Sequence, residues 1–166
     1  MNPVNARFFA CGKEHMHLIV CLDDENGMAF LGRRQSRDRL LPGDIAAHCE
    51  GPLYALPYSL PLLKEAGITA VAAAPSEVPE NGTFFDELLP PSGFMERADF
   101  VTVYRWNRLY PADVYFDANL AAEFKQVSAR DFAGFSHDRI TCELWKRKRR
   151  SADNNADNNT DKGETK

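Results

Sequence analysis

Apolar segments of strand-like length recur along the chain, and polar turns separate them. The segments at 17–22, 98–104, 124–128 and 140–145 are rich in branched and aromatic residues, a composition typical of β-strands. Shorter candidates lie at 52–56, 68–73 and 83–85, and the apolar run 68–73 is predicted to be buried. The pair Asn26-Gly27 accepts positive φ, so a turn is predicted directly after the first strand.

One helix is clearly indicated early in the chain, at residues 41–49. Pro42 lies near its first turn, Asp44 lies close to its positive N-terminal end, and Gly51 follows as a stop signal. A weaker helical pattern covers 58–66. Strands outnumber helices, and the last two strands are predicted to pair antiparallel. The chain is therefore predicted to be an α/β protein with a mostly parallel central sheet and an antiparallel C-terminal edge.

These signals are confined to residues 16–147, which are predicted to form a single α/β domain. Residues 1–15 are predicted to be an upstream extension that takes no part in the core. Residues 148–166 are rich in Asn and Asp and contain no aromatic or branched apolar residue. Because such a segment cannot bury enough apolar surface to offset the entropy of ordering, it is predicted to be a disordered tail.

Composition narrows the classes of function. The 166 residues include 20 Lys and Arg against 24 Asp and Glu, a net charge of −4, which disfavours a protein that binds nucleic acid mainly by electrostatics. No apolar run approaches the roughly 18 residues that span a bilayer, so no membrane partner is predicted. The four cysteines lie far apart without a C-x-x-C pair, which is typical of reduced thiols in a cytoplasmic protein.

Two stretches, taken together, resemble dihydrofolate reductase. In the first, an apolar strand is followed by Asn26-Gly27-Met28, where the family has Ile-Gly-Met, and by Leu41-Pro42-Gly43-Asp44, where the family has Leu-Pro-x-Asp. In the second, Pro111-Ala-Asp113-Val-Tyr-Phe116 is similar to Gly-Asp-x-x-Phe, and the last strand ends in Glu143-Leu-Trp-Lys-Arg147. The order and spacing match over most of residues 16–147. The resemblance implies a three-layer sandwich around the central sheet.

The resemblance also implies a site. The family's helix-borne carboxylate holds the pterin ring by paired hydrogen bonds, and Asp44 would take this role as a candidate catalytic residue, with Val20, Cys21 and Tyr104 around the ligand. The family also uses NADPH, which it holds with a Gly-Gly dipeptide and a Gly-Arg-x-Thr segment. The corresponding stretches, 92–97 and 56–59, lack both patterns. The sequence thus indicates a pterin- or nucleotide-like ligand without indicating hydride transfer, and the cofactor stays open.

The chain is also similar to a group of small uncharacterised bacterial proteins, some of which are labelled ribonuclease Z. The shared strings are the arginine-rich 32–39, the aromatic and basic 104–108, and Ser136-His137. That nuclease needs His-x-His-x-Asp-His to bind two zinc ions. Here only His15 and His17 have the first spacing, and Leu18 and Ile19 follow them. The label is therefore not supported, and no metal site is predicted.

Three further groups of residues could carry chemistry, and each is weighed against a simpler structural role. Arg33, Arg34, Arg37 and Arg39 form either an anion site or a set of ion pairs with Asp38 and the acidic turn 23–25. Tyr104, Arg105 and Trp106 either stack on a ring or nucleobase, or place Trp106 in the core. Ser136-His137-Asp138 cannot form a catalytic triad, because consecutive side chains do not point at one centre; His137 is expected at the surface or in a turn.

Two hypotheses of function remain open. In the first, the protein binds a small molecule of pterin or nucleotide type at a dihydrofolate-reductase-like site. In the second, it is a non-catalytic accessory protein whose arginine-rich loop and Tyr104–Arg108 loop contact nucleic acid or a protein partner.

Overall fold

The computed structural model describes residues 16–49 and 51–148, and within them the main feature is one seven-stranded sheet. A second sheet of three short strands packs beside it. The strands are β1 (Met16–Leu22), β2 (Gly27–Phe30), β3 (Arg33–Arg34), β4 (Leu53–Ala55), β5 (Ala70–Ala72), β6 (Thr83–Asp86), β7 (Ala98–Arg105), β8 (Val114–Tyr115), β9 (Phe124–Phe132) and β10 (Ile140–Arg147). The α-helices are α1 (Leu41–His48), α2 (Leu60–Glu65) and α3 (Leu120–Glu123).

The large sheet has the order β5-β4-β6-β1-β7-β10-β9, which places the first strand at its centre. β1 is parallel to β6 and β7, and β4 is parallel to β5 and β6, while β10 runs antiparallel to both β7 and β9. All seven residues of β1 are buried, as expected for a strand covered on both faces. The predicted mostly parallel sheet with an antiparallel C-terminal edge is confirmed.

Each face of the large sheet packs against its own layer. Side chains alternate along β1, so Leu18 and Val20 join one core cluster and Ile19 joins the other. The layer on the Ile19 side comes from α1 and α2, through Leu41, Ile45, Leu62 and Leu63. The opposite layer uses Met28, Phe116, Leu120 and Phe124, from the small sheet, α3 and the start of β9. Burying each large apolar side chain contributes about 1.5–3 kcal/mol, so these two clusters hold the layers together.

One short strand differs from its predicted environment. The run 68–73, predicted to be buried, forms only β5 at the edge of the sheet, where Val71 is 49% exposed. β5 pairs with β4 on one side only, so its apolar run has no strand on the other side within the described chain. The short candidate at 83–85 forms a strand, β6, which lies beside β1 and is buried along its whole length.

The arginine-rich segment is more ordered than the predicted loop. β2 and β3 form a two-residue hairpin in which Phe30 pairs with Arg33. The turn residues Leu31 and Gly32 both have positive φ, 51° and 73°, as a turn matching the twist of a β-hairpin requires. This hairpin fixes where Arg33 and Arg34 lie.

The ends of the predicted domain coincide with strands, since β1 begins at Met16 and β10 ends at Arg147. The predicted extension 1–15 and nearly all of the predicted tail lie outside the described residues. Lys148, predicted as the first tail residue, is bound to the fold, because its backbone N–H donates to the Glu123 carbonyl at 2.9 Å. In the part of the chain that the structure describes, no helix has the length and apolar character needed to cross a bilayer.

Candidate functional site

Polar side chains gather at the carboxyl edge of the central parallel strands. β1, β4, β6 and β7 run in one direction and therefore end at the same edge. In open α/β sheets this edge is where ligands bind, close to the point where the strand order reverses. Here the chain passes from β6 on one side of β1 to β7 on the other. Three separate clusters lie along this edge.

The first cluster surrounds Asp44 on α1. The Arg130 guanidinium on β9 donates from Nη1 to Oδ1 at 3.0 Å and from Nη2 to Oδ2 at 2.6 Å. The Tyr104 hydroxyl on β7 donates to Oδ2 at 2.6 Å. Burial alone would raise the pKa of Asp44, but the hydrogen bonds from Arg130 and Tyr104 outweigh it and lower that pKa. Burial also raises the pKa of Tyr104 well above its usual range, so a neutral phenol faces a carboxylate.

In this arrangement the Asp44 carboxylate already has partners within the fold. An aminopyrimidine would offer Asp44 two parallel N–H donors, and the guanidinium of Arg130 already presents that same pair. Arg130 was missed because the last-but-one strand was predicted to end at residue 128, whereas β9 continues to Phe132. Asp44 thus lies on the predicted helix but is ion-paired within the fold.

The second cluster borders an open depression beside the β2–β3 hairpin. The depression has a volume of about 420 Å³ and is lined by Phe30, Leu31, Arg33, Arg34, Gln35 and Pro111. Arg34 is fixed there, with Nε and Nη2 donating to the two oxygens of Glu87 at 2.8 and 3.1 Å. The exposed Arg33 makes no ion pair with any described residue. Two of the predicted ligand-binding residues therefore meet at one concave surface.

The four arginines of this segment do not converge on one anion. Arg37 pairs with Glu65 at 2.9 Å on the surface, and the guanidinium of Arg39 lies 4.3 Å above the Phe135 ring. Their partners are therefore Glu65, Glu87 and an aromatic ring, and not Asp38 or the acidic turn 23–25. Of the four arginines, Arg33 is the one for which no ion pair or ring contact with another described residue is found.

The other predicted ligand-binding residues lie in the sheet or the core. Val20 is fully buried in β1. Cys21 is buried beside it, and burial raises the pKa of its thiol. Arg105 ends β7 and donates to Glu143 at 2.9 Å.

Trp106 is 3% exposed and stacks on His137, with ring centroids 4.7 Å apart. The predicted Tyr104–Arg108 loop thus begins inside a strand, and its two aromatic rings, those of Tyr104 and Trp106, are buried and not exposed for stacking on a nucleobase.

The third cluster is centred on His137. This residue was expected at the surface or in a turn, and it lies in the turn between β9 and β10 but is only 4% exposed. Its Nδ1 lies 2.9 Å from Asp38 Oδ2. Its Nε2 lies 3.1 Å from Ser36 Oγ and 3.0 Å from the Tyr110 hydroxyl. Asp38 accepts three backbone N–H bonds, from Leu40, Phe135 and Ser136. Burial opposes these bonds and the His137 contact, yet together they hold the pKa of Asp38 well below its usual range.

The residues that would hold a nicotinamide cofactor do not fit that role. A phosphate cradle needs free backbone N–H groups at a turn or helix N-terminus. Pro57, in the turn before α2, and Pro61, in the first turn of α2, have no N–H. The N–H groups of Ser59 and Leu60 donate within the turn, to the carbonyls of Leu56 and Pro57. The Ser59 hydroxyl donates to the buried Glu87 carboxylate at 2.7 Å. The N–H groups of Ser59 and Leu60 are therefore not available to a phosphate, and the Ser59 hydroxyl is held by a carboxylate.

The described residues also contain no group of three His, Cys, Asp or Glu side chains placed to hold a metal ion. His15 lies outside the described residues, and His17 lies inside the sheet with Nε2 2.7 Å from the Thr102 hydroxyl.

Comparisons with known proteins agree with the fold. No protein-family model matches this chain, and no curated protein matches it in sequence. Among solved structures, it is similar to dihydrofolate reductase from Enterococcus faecalis in complex with NADP(H) and RAB-propyl. The TM-score is 0.59 at 10% identity, over 81% of this chain and 97% of that one. At this identity the likeness concerns the backbone alone, and the chain accordingly has a remote dihydrofolate-reductase-like fold.

Proposed function

We propose that this chain is a small-molecule-binding protein whose ligand is nucleotide-like, with a ring and an anionic group, and is held in the depression beside the β2–β3 hairpin. The observation that carries this proposal is the position of Arg33 in that depression. Its guanidinium is exposed, and no carboxylate of the described chain neutralises it. A volume of about 420 Å³ lies within the range of small-molecule sites.

The hairpin supplies complementary chemistry for the two parts of such a ligand. Phe30 and Arg33 are directly paired across β2 and β3, so their side chains stand on the same face. Phe30 is 40% exposed and Leu31 is 74% exposed, which gives a ring an apolar surface beside Pro111. Arg33 can then bind a phosphate or carboxylate with paired N–H donors.

Neighbouring charges favour a compact anionic group over a long polyanion such as a nucleic acid strand. Glu87 neutralises Arg34, so the depression contains one uncompensated guanidinium among its described lining residues. The buried rings of Tyr104 and Trp106 offer no stacking platform for a nucleic acid strand. A compact anionic ligand therefore suits the surface better than nucleic acid. Hydride transfer forms no part of the proposal, because the turn before α2 lacks a phosphate cradle.

The test is calorimetric titration of the full chain with ATP, adenosine and inorganic triphosphate. We expect ATP to bind, and each half of the molecule to bind more weakly than the whole. Because a charge-assisted hydrogen bond contributes about 1.5–3 kcal/mol, Arg33→Ala should weaken ATP binding roughly ten- to hundredfold.

The matched control is Arg37→Ala, which removes an exposed arginine of the same segment that does not line the depression. It should bind ATP like the native protein. Equal weakening by both variants would indicate a general charge effect and would reject the site. Absence of ATP binding to the native protein would reject the nucleotide-like ligand.

A further inference from the structure

Asp38, His137 and Ser36 are joined in series by hydrogen-bonding contacts. Asp38 Oδ2 lies 2.9 Å from His137 Nδ1, and His137 Nε2 lies 3.1 Å from Ser36 Oγ. We propose that Ser36 is the nucleophile of an acyl-transfer site, with His137 as its general base and Asp38 as the residue that positions the imidazole. Carboxylate, imidazole and hydroxyl in this order define a serine hydrolase triad by geometry, whatever their order in the chain.

The carboxylate of this relay, that of Asp38, is held in a fixed position. Asp38 is buried and accepts backbone N–H bonds from Leu40, Phe135 and Ser136, so it is a fixed anion. An anion at 2.9 Å from Nδ1 favours a proton on that nitrogen, so in the neutral imidazole the lone pair lies on Nε2. The Trp106 ring stacks on the imidazole and fixes its plane. His137 is thereby held as a base that points at Ser36.

The hydroxyl end contains a second oxygen. The Tyr110 hydroxyl lies 3.0 Å from Nε2 and 3.2 Å from Ser36 Oγ, so the three atoms form a triangle. The Ser36 proton can therefore reach Nε2 directly or through the Tyr110 hydroxyl. Both oxygens lie within the distance at which a general base acts.

Ser36 is only partly buried. It follows Gln35 in the chain, and Tyr110 precedes Pro111; Gln35 and Pro111 both line the depression beside the hairpin. The two hydroxyl-bearing residues of the relay are therefore sequence neighbours of residues that line that depression. The substrate class is an activated ester, because the relay supplies a nucleophile and a base, which suffice for an acyl group that carries a good leaving group.

The reaction is balanced without any further reagent. Ser36 Oγ attacks the ester carbonyl carbon, and its proton passes to His137 Nε2. The bond from that carbon to the alcohol oxygen breaks, and the departing oxygen takes the proton from Nε2, which leaves an acyl-Ser36 ester. Water then attacks the acyl group with the same base, which releases a carboxylic acid and restores Ser36.

The test uses the full chain with p-nitrophenyl acetate and with a fluorophosphonate probe. The probe forms a bond from Ser36 Oγ to phosphorus and expels fluoride, and peptide mass spectrometry then finds the labelled residue. We expect label on Ser36. We also expect Ser36→Ala and His137→Gln each to reduce hydrolysis by about 10³-fold. Ser128→Ala, which changes an exposed serine on β9, is the matched control and should keep native activity.

Two outcomes would overturn the proposal: no labelling of Ser36 above that of heat-unfolded protein, or unchanged hydrolysis by folded Ser36→Ala. Should either variant fail to fold, labelling of the native chain alone decides. The positioning role of Asp38 is tested by proton NMR. The native protein should show a strongly downfield imidazole N–H signal, and folded Asp38→Asn should lose it together with the labelling. A folded Asp38→Asn that labels at the native rate would reject that role.

Discussion

Arg130 on β9 binds Asp44 on α1 through two parallel N–H···O bonds of 3.0 and 2.6 Å. The edge strand β9 is thereby tied to α1, which belongs to the layer of helices on one face of the sheet. The side chain of Asp44 is 15% exposed and that of Arg130 is 38% exposed. The pair therefore lies between a surface ion pair, which contributes little, and a buried one, whose disruption is costly.

Removing the guanidinium should open the carboxylate to ligands. We expect Arg130→Ala to lower the free energy of unfolding by about 1–3 kcal/mol, because Asp44 loses its charged donors. We also expect the variant to bind 2,4-diaminopyrimidine, whose paired N–H donors replace those of Arg130, while the native protein does not. Calorimetry and urea unfolding measure the two effects.

The control for Arg130 is Arg105→Ala, which breaks a partly buried ion pair between neighbouring strands at a similar depth. It should be destabilised without gaining affinity for the diaminopyrimidine. Tight binding of this compound by the native chain would contradict the occupied state of Asp44.

Asp86 should make the fold less stable as the pH rises. It is fully buried in β6, and burial raises its pKa from 3.8 to about 7. Between about pH 4 and pH 7 the folded state therefore holds a proton that the unfolded state has lost, so stability falls across this window. Asp86→Asn imitates the protonated side chain and should be more stable than the native protein at pH 8, by on the order of 1 to 4 kcal/mol.

Urea unfolding at pH 4, 6 and 8 measures this difference. Asp138→Asn, which removes an exposed carboxyl group, is the control and should lose stability with rising pH as the native protein does. If the free energies of unfolding of the native protein and of Asp86→Asn change in parallel from pH 4 to 8, Asp86 does not titrate in this window.

His17 should act in the opposite direction. It is buried in β1, and burial lowers its pKa from 6.5 to about 4. As the pH falls from 6.5 to 4, the unfolded state gains a proton that the folded state cannot accept, and stability is lost. His17→Gln should therefore lose less stability on acidification than the native protein, by roughly 1–3 kcal/mol at pH 4.

Thr102→Val is the matched control for His17, because it removes the hydroxyl 2.7 Å from Nε2 while keeping the imidazole. It should lower stability and retain the native pH dependence between pH 4 and 6.5. If His17→Gln follows the native profile, the histidine is not the group responsible.

Substitution by alanine should change the stability of the fold in opposite directions at two glycines. A Cβ at Gly27 would lie 2.6 Å from both Asp23 Oδ2 and Gln35 Nε2, and 2.8 Å from the Ala112 Cβ. Gly27→Ala should thus destabilise the fold by about 1–3 kcal/mol. Gly43 lies in α1 with nothing within 4 Å of its Cβ position. Gly43→Ala should stabilise it by about 0.5–1 kcal/mol. Thermal melting of both variants decides, and shifts of the same sign would be inconsistent with these contacts.

The strands and the first helix could be predicted because their signals are local. The apolar run around Leu18 and the Pro42 entry into α1 each depend on a few neighbouring residues. The antiparallel last pair of strands follows from two adjacent alternating segments. The prediction that β5 is buried was wrong, because an apolar run does not show whether a strand has one neighbouring strand or two.

The site could be predicted only in part, because its contacts join distant segments. Arg33 and Arg34 lie close together in the sequence and share one depression. Asp44 and Arg130 lie 86 residues apart in the sequence, and His137 lies 101 and 99 residues from Ser36 and Asp38. The sequence neighbours of His137, Ser136 and Asp138, do not indicate those two partners. These contacts depend on the order of the strands in the sheet, and no periodicity in the sequence indicates them.

The central position of β1 has a consequence for protein synthesis. β1 leaves the ribosome early, yet its partners β6 and β7 begin only at Thr83 and Ala98. Until they emerge, Leu18, Ile19 and Val20 have neither a hydrogen-bonded neighbour strand nor a complete core around them. A nascent chain that stalls before Thr83 therefore presents an unpaired strand that is apolar apart from His17, which is a substrate for chaperones and a starting point for aggregation. The order in which the sheet is assembled makes the middle of the chain the critical interval of its biogenesis.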